Sequence, residues 1–125
     1  MNKSSKKRAE RSGRFGEIIA IFWLRLQGYR ICEIRYKTPV GEIDLIAKRG
    51  KWLVFVEVKW RKTGASAFDV SPHQANRIVR AAELYLASRA VSNHVETRFD
   101  ILLLGPWRWP RHITGAFDAD TWGNR

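Results

Sequence analysis

Three ionisable side chains lie on two neighbouring predicted strands of this 125-residue chain. Asp44 is in the apolar segment 42–47, and Glu57 and Lys59 are two positions apart in the segment 52–60. Side chains two positions apart in a strand point to the same face of the sheet. Two converging carboxylates can bind a divalent cation, which activates a water and stabilises charge on a phosphate under attack. The pattern favours metal-assisted phosphodiester hydrolysis, with Lys59 orienting the water, helping to deprotonate it, or steadying the phosphate.

The turn between the two strands sets which residues face one another. Arg49-Gly50 is predicted to form a two-residue hairpin turn, which places Asp44 opposite Phe55. Glu57 is then the diagonal neighbour of Asp44 on the same face, at roughly 7–8 Å. By the same parity Glu42 shares this face and lies opposite Glu57, so spacing alone leaves Glu42 open as a ligand.

The other face of both strands is predicted to be aliphatic, formed by Ile43, Leu45, Val54, Val56 and Val58. Charges on one side of such apolar strands cost free energy unless they have partners. A bound divalent cation would neutralise the two acids. The alternative is an ion-pair cluster of the three charged side chains without catalysis.

The surrounding segments predict an α/β fold with the order α-β-β-β-α-β and a further short strand near the C-terminus. The predicted helices cover 14–27, followed by Gly28 as a stop, and 72–89, started by Ser71-Pro72; the predicted strands cover 29–36, 42–47, 52–60, 99–104 and 113–117. The strands on either side of the second helix should be parallel, and the first three should be antiparallel. This order predicts a mixed central sheet flanked by helices on both faces.

The chain is strongly basic, with a net charge of +11 and a pI of about 10.5. Such a surface attracts polyanions, and nucleic acid is favoured over an anionic membrane because the basic residues are spread along the chain. Residues 1–12 are predicted to be a disordered basic arm, which contacts phosphates or is a solvated tail, and 13–125 a single domain.

Cysteine content and hydropathy bear on the compartment. The single cysteine, Cys32, is interpreted as a small buried apolar residue in a protein of a reducing compartment. The apolar segment 18–26 is interrupted by Arg25, so neither a signal peptide nor a transmembrane helix is expected. The predicted location is the cytoplasm.

Three segments together resemble the YraN family of small bacterial proteins: GEIDLIA at 41–47, VFVEVKWR at 54–61 and RFD at 98–100. That family is placed in the PD-(D/E)xK nuclease superfamily, which has the restriction-endonuclease-like fold. It is similar to archaeal Holliday-junction resolvases. The resemblance extends over about residues 11–118, which is nearly the whole chain without the arm.

The resemblance implies a DNA endonuclease that depends on Mg²⁺ or Mn²⁺, acts on branched or otherwise structured DNA, and forms a homodimer. It implies that Asp44, Glu57 and the backbone carbonyl of Val58 bind the metal and that Lys59 is catalytic. Glu17 matches an additional acid in the first helix of resolvase-like members. Its other interpretation is an acid favoured by the helix dipole, but its position on an apolar face favours the site.

The chain departs from the family pattern at two places. Related sequences commonly have Asn at the position of Arg35, and Lys-Gln where this chain has Gln74-Ala75. Gln74 either contacts the site or substrate from the helix start or is a polar surface residue. Arg98 and Asp100 match the family and are interpreted as a structural or supporting pair rather than as catalysts.

Several basic residues flank the predicted site and are candidates for phosphate contacts together with Gln74: Arg61, Lys62, Arg77 and Arg80. Trp107, Arg108 and Trp109 either stack on unpaired bases or, as the preferred interpretation, anchor a partly buried loop. The alternative to an endonuclease is a non-catalytic nucleic-acid-binding module on a nuclease-like fold.

Overall fold

A computed structural model describes residues 3–64, 66–89 and 95–118, with side chains described from residue 14 onward except for Phe68. The predicted domain therefore includes residues, such as 119–125, that lie outside the described ranges. No helix among the described residues is long and apolar enough to cross a membrane.

The element order is α-β-β-β-α-β-β, as the sequence predicts. The elements are α1 (Lys3–Leu26), β1 (Arg30–Thr38), β2 (Gly41–Arg49), β3 (Trp52–Trp60), a short 3₁₀ helix (Ala67–Asp69), α2 (Pro72–Ser88), β4 (Glu96–Leu104) and β5 (Arg111–Phe117). The five strands form one sheet in the order β1-β2-β3-β4-β5. Only β3 and β4 are parallel among these neighbours, because α2 connects them as a crossover. The mixed α/β fold is therefore confirmed.

The first helix is longer than predicted and begins at Lys3 rather than near Arg14. The backbone of residues 3–12 is helical, where the sequence analysis predicts a disordered arm. Lys, Arg, Ala and Glu are good helix formers, and adding turns to an existing helix costs far less than starting one. The helix ends at Leu26, and Gly28 follows with a φ of +90° that glycine adopts readily. The division into arm and domain stays a prediction.

Each face of the sheet is covered by one helix. On one face α2 packs over Ile46, Phe55, Phe99 and Ile101, and this cluster is called the α2-side core. On the other face Ala20 and Leu24 of α1 pack over Leu45, Val54, Val56 and Leu102, which form the α1-side core. Helices on both faces are as predicted. The expected face of Ile43 is wrong, because this residue packs in the α2-side core while Leu45 packs in the α1-side core.

The turn between β2 and β3 is one residue later than predicted. Arg49 pairs with Trp52, so the turn residues are Gly50 and Lys51 instead of Arg49 and Gly50. Gly50 has a φ of +59°, and a hairpin turn with glycine at its first central position spares Arg49 a left-handed conformation. The pairing therefore shifts by two positions along β3, and a shift of two by itself preserves the alternation of side chains between the faces.

Cys32 is partly buried and packs against the α2-side core. Its predicted role as a small apolar side chain is consistent with this position, although the burial is incomplete.

Candidate active site

Asp44 and Glu57 face each other where β2 and β3 stop pairing through their backbones. The paired residues run from Arg49 opposite Trp52 to Leu45 opposite Val56, so the next position along places Asp44 opposite Glu57. At this position Asp44 Oδ2 accepts a hydrogen bond from the Val58 N–H at 2.8 Å. The Asp44 side chain thus accepts the hydrogen bond of the Val58 N–H, and the carboxyl groups of Asp44 and Glu57 come close together.

Glu57 is one of two buried charged residues among the described side chains, with 6% of its surface exposed. Burial raises the pKa of its carboxyl well above the ordinary value, and the adjacent Asp44 carboxylate raises it further. Lys59 Nζ lies 3.9 Å from Glu57 Oε1, which opposes the shift but does not cancel it. Without a cation, the raised pKa of Glu57 favours its protonated form beside the Asp44 side chain.

The N-terminus of α2 supplies a further contact. Ser71 caps the helix by accepting a hydrogen bond from the Gln74 N–H at 3.1 Å, and Pro72 is the first helical residue, as predicted. This cap orients the first turn so that Gln74 Nε2 donates to Glu57 Oε1 at 3.2 Å. Of the two interpretations of Gln74, the structure shows the contact with the site.

Gly41 explains how α2 comes so close to β2. A Cβ on Gly41 would lie 2.4 Å from the backbone oxygen of Arg77, so any larger residue would push the helix away. The Arg77 side chain also donates from Nε to the Val40 oxygen at 3.3 Å. The glycine that opens the GEID segment is therefore a packing requirement that holds Gln74 near Glu57.

Glu17 approaches the two acids from α1. Its Oε2 lies 2.9 Å from Arg35 Nε in β1. Burial raises the pKa of Glu17, Arg35 opposes this change, and the charges of Asp44 and Glu42 add to the increase. The charge of Asp44 therefore acts on Glu17, and the place of Glu17 in the site stays a prediction.

Arg35 has an uncommon backbone conformation. It lies between the pairs Ile34–Leu45 and Tyr36–Ile43, so it is opposite Asp44. Its φ of 50° is in the left-handed region, which Asn adopts more easily than Arg. Asn would therefore fit this backbone conformation with less strain, whereas Arg35 forms the ion pair with Glu17.

Glu42 is exposed and does not lie opposite Glu57. The shifted register removes it from its predicted place opposite Glu57, and by continuation of that register it is opposite Lys59. Glu42 lines a surface groove of 350 Å³ together with residues of α2: His73, Gln74, Arg77 and Ile78. Its charge still raises the pKa of Glu57. This geometry favours a supporting role over a place among the ligands.

The donor atoms at the site suit a small hard cation. Within the described residues, no group of three or more His, Cys, Asp or Glu side chains is arranged as a metal site. Magnesium does not require one, because it is usually held by one or two carboxylates and retains several waters. Asp44 and Glu57 supply those carboxylates, and the hydrogen bond to Asp44 puts the Val58 peptide beside them.

The predicted phosphate contacts lie on two surfaces near the site. Arg61 and Lys62 directly follow β3 and are exposed, and Arg61 Nε lies 3.5 Å from Asp69 Oδ2. Arg77 and Arg80 are on the exposed side of α2. All four cations are therefore accessible to a polyanion.

Arg98 and Asp100 lie on the opposite face of the sheet, in a buried network. Asp100 accepts two hydrogen bonds from Arg98, both at 2.8 Å, and one from the Gly115 N–H at 3.0 Å. His112 Nε2 lies 2.6 Å from Asp100 Oδ2, and Tyr29 Oη accepts from Arg98. The interpretation as a structural pair agrees with this position. No local sequence pattern pointed to His112 or Tyr29, because they are distant along the chain from the residues they contact.

The preferred interpretation of the tryptophan loop is wrong. Trp107 is fully exposed and Trp109 is 83% exposed, so neither anchors the loop by burial. Pro106 and Pro110 bound this short segment between β4 and β5, and Trp107 has a φ of 60°. The packing partner of Trp109 is Trp23 of α1, with ring centres 6.0 Å apart.

Comparison with known proteins identifies the family. The model of the uncharacterised protein family UPF0102 matches residues 16–104. A UPF0102 protein of Maricaulis maris is 45% identical over 114 residues, covering 90% of each chain. One from Erythrobacter litoralis is 48% identical over 110 residues, covering 87% of this chain and 94% of its own. The chain therefore belongs to UPF0102, the YraN family, which is of the restriction-endonuclease-like nuclease type.

Proposed function

We propose that this protein is a metal-dependent DNA endonuclease that hydrolyses phosphodiester bonds. The observation that carries the proposal is the Asp44–Glu57 carboxyl pair, in which Glu57 is buried, with Lys59 beside it. Two acids next to each other destabilise the fold unless a proton or a cation neutralises them. The family is described as uncharacterised, so its name is not an argument for this activity.

Asp44, Glu57 and the Val58 carbonyl would hold Mg²⁺ or Mn²⁺, both of which prefer oxygen ligands. A bound divalent cation supplies a more acidic water and stabilises negative charge on the phosphate. Hydrogen bonds from the Val58 N–H and from Gln74 fix one oxygen of each carboxyl group. The two carboxyls are therefore oriented before any cation arrives.

Lys59 is the group that acts on the reacting atoms. Its side chain is 19% exposed, so its amine is partly shielded yet reachable by substrate. From this position it orients the attacking water, accepts its proton or steadies the phosphate. Glu17 is proposed to act from the other side of Asp44, where its ion pair with Arg35 holds it in place.

The basic surface favours a polyanionic substrate. Arg61, Lys62, Arg77 and Arg80 are exposed near the carboxyl pair, and the chain carries a net charge of +11. Contacts of this type position DNA without reading its sequence. We extend the proposal to branched or structured DNA and to a homodimer, in which two sites would make paired cuts.

The decisive experiment is a cleavage panel with the full-length protein, Mg²⁺ or Mn²⁺, and four DNA forms: four-way junctions, flaps, duplex and single strands. Lys59→Ala should lower the cleavage rate about 100-fold or more, as expected for loss of a proton-transferring group. Lys51→Ala is the matched control, because it removes the same charge at the far end of the β2–β3 hairpin. Equal activity of the Lys59 variant and wild type would contradict the proposed role.

Metal binding can be measured without activity. Mg²⁺ or Mn²⁺ should raise the melting temperature of the wild type, since a ligand of the folded state stabilises it, and should have little effect on Asp44→Asn. If wild-type protein binds DNA in a salt-sensitive manner but neither binds metal nor cleaves any of the four DNA forms, the endonuclease is excluded. The protein would then be a non-catalytic nucleic-acid-binding module.

A further inference from the structure

The loop between β4 and β5 forms a basic groove with an aromatic wall. The groove has a volume of 220 Å³ and is lined by Gly64, Leu103, Leu104, Gly105, Arg108, Trp109 and Arg111. Arg108, Trp109 and Arg111 are exposed, while Leu103 and Leu104 are buried strand residues at the base of the groove. One indole and two guanidinium groups therefore border the groove.

Two glycines let the walls of this groove come together. A Cβ on Gly64 would lie 2.5 Å from Arg108 Nη1, so the guanidinium rests against the Gly64 backbone. A Cβ on Gly105 would lie 2.8 Å from the Arg61 oxygen. The loop that follows β3 is thus held against the β4–β5 loop, and Arg108 has a defined position.

The groove is next to the strand that carries Lys59. In the parallel pairing of β3 and β4, Lys59 is the partner of Leu103 and Trp60 is the partner of Leu104. The base of the groove is therefore on the strand next to the one that carries Lys59. Arg61 and Lys62 lie between the two, since they follow β3 directly.

We propose that this groove and the exposed Trp107 bind unpaired nucleotides, so that the preferred DNA substrate contains a single-stranded segment. An indole offers a stacking surface to any base, and guanidinium groups attract the phosphates on either side. Bases within a duplex are already stacked and cannot occupy such a surface. The inference rests on the proposed endonuclease function and narrows its substrate class.

The positive charge around the groove favours single-stranded nucleic acid over another protein surface as the ligand. The loop carries Arg108 and Arg111 beside Trp109, and Arg61 and Lys62 approach from the adjoining segment. A second copy of this chain would bring the same positive charges to the contact, which repel one another. A single-stranded polyanion matches both the charge and the aromatic surface.

The test is a binding titration of the full-length protein in EDTA, where metal-dependent cleavage does not occur. The probes are a short fluorescently labelled single strand of mixed sequence and the same strand in a perfect duplex. Trp109→Ala and Trp107→Ala should each weaken single-strand binding about 5- to 150-fold, and duplex binding much less. Trp109→Phe should retain most of the affinity, because phenylalanine also stacks.

Two controls separate stacking from general effects. Phe22→Ala removes another exposed aromatic side chain, on α1, and should bind like the wild type. Arg30→Ala removes an exposed charge at the β1 edge of the sheet, and Arg108→Ala should weaken binding far more. Light scattering and circular dichroism of every variant report oligomeric state and folding.

Equal loss of single-strand and duplex affinity in the tryptophan variants would overturn the inference, as would unchanged affinity or absence of wild-type binding. A change in oligomeric state instead of affinity would assign the surface to self-association. These results are independent of cleavage. If the endonuclease proposal is wrong, the cleavage panel with metal shows it. If the groove proposal is wrong, the binding titration in EDTA shows it.

Discussion

Two buried acids on opposite faces of the sheet have similar exposure, but their pKa values shift in opposite directions. Asp100 is fully buried and Glu57 is 6% exposed. Burial alone would raise the pKa of Asp100, but hydrogen bonds from His112, Arg98 and Gly115 lower it. Burial raises the pKa of Glu57, and its neighbour Asp44 raises it further. Partners therefore decide whether a buried acid stabilises the fold or keeps the capacity to bind a ligand.

The network around Asp100 is complete within the protein. Arg98 contacts both carboxylate oxygens, and its guanidinium also lies over Trp52, at 5.3 Å from the ring centre. Among the described residues, the Asp44–Glu57 pair accepts hydrogen bonds from the Val58 N–H and from Gln74, and Lys59 Nζ lies 3.9 Å from Glu57. The first arrangement is typical of a structural ion network, and the second agrees with the proposed cation site.

The largest expected difference between the two sites is in the free energy of unfolding when an acid of each site is replaced by its amide. Asp100→Asn leaves Arg98 as a poorly paired buried charge and should lower the free energy of unfolding by about 3–5 kcal/mol. Asp44→Asn, measured without metal, should lower it far less, because it relieves repulsion with Glu57. Urea unfolding of both variants measures the difference. Equal losses would show that the two acidic sites are energetically alike.

A smaller and pH-dependent effect is expected at Glu57. Between the ordinary carboxyl pKa of 4.5 and the raised folded value, the folded protein keeps a proton that the unfolded chain has lost. Stability of the metal-free protein should therefore fall as pH rises through this window. Glu57→Gln removes this dependence and should be more stable than wild type at pH 8, by on the order of 1–3 kcal/mol, but not at pH 4.

The measurement is urea unfolding in EDTA at several pH values. Glu83→Gln is the matched control, because Glu83 is an exposed carboxylate on α2 and should leave the pH dependence unchanged. A Glu57→Gln protein that loses stability at pH 8 would show that the carboxyl is charged and well paired, as Asp100 is.

The smallest expected loss of stability comes from removing Gln74, the neutral side-chain donor to Glu57. Gln74→Ala removes the hydrogen bond to Glu57 and should cost about 0.5–1.5 kcal/mol of stability, together with some affinity for Mg²⁺. His73→Ala, in the same helical turn and exposed, should cost less. Calorimetric titration with Mg²⁺ and urea unfolding give the two readouts. If Gln74→Ala behaves like His73→Ala, the contact does not support the site.

The site shows how a wrong register can still give a correct face. The prediction placed Asp44 opposite Phe55, and the structure places it opposite Glu57, two positions further along β3. An error of two residues preserves the alternation of strand side chains, whereas an error of one would have inverted it. The predicted carboxyl convergence was therefore correct in kind, and the two acids are closer than the predicted diagonal arrangement.

Predictions failed where packing overrides local pattern. Ile43 alternates with Asp44 in the sequence, yet it lies in the α2-side core, on the face away from Leu45. The two tryptophans of the β4–β5 loop are apolar, and burial was the preferred interpretation, but the loop leaves them exposed. Composition gives the tendency of a residue to be buried, and only the surrounding chain decides whether a place for it exists.

The sequence by itself determined the order of elements and the common face of Glu57 and Lys59, because alternation along a strand is a local property. Only the tertiary structure decided which distant groups meet the acids. Gln74 reaches Glu57 because the helix cap and Gly41 position α2, and Glu17 approaches through its pair with Arg35. Such contacts depend on turn conformation and helix packing over long separations, which no local pattern encodes.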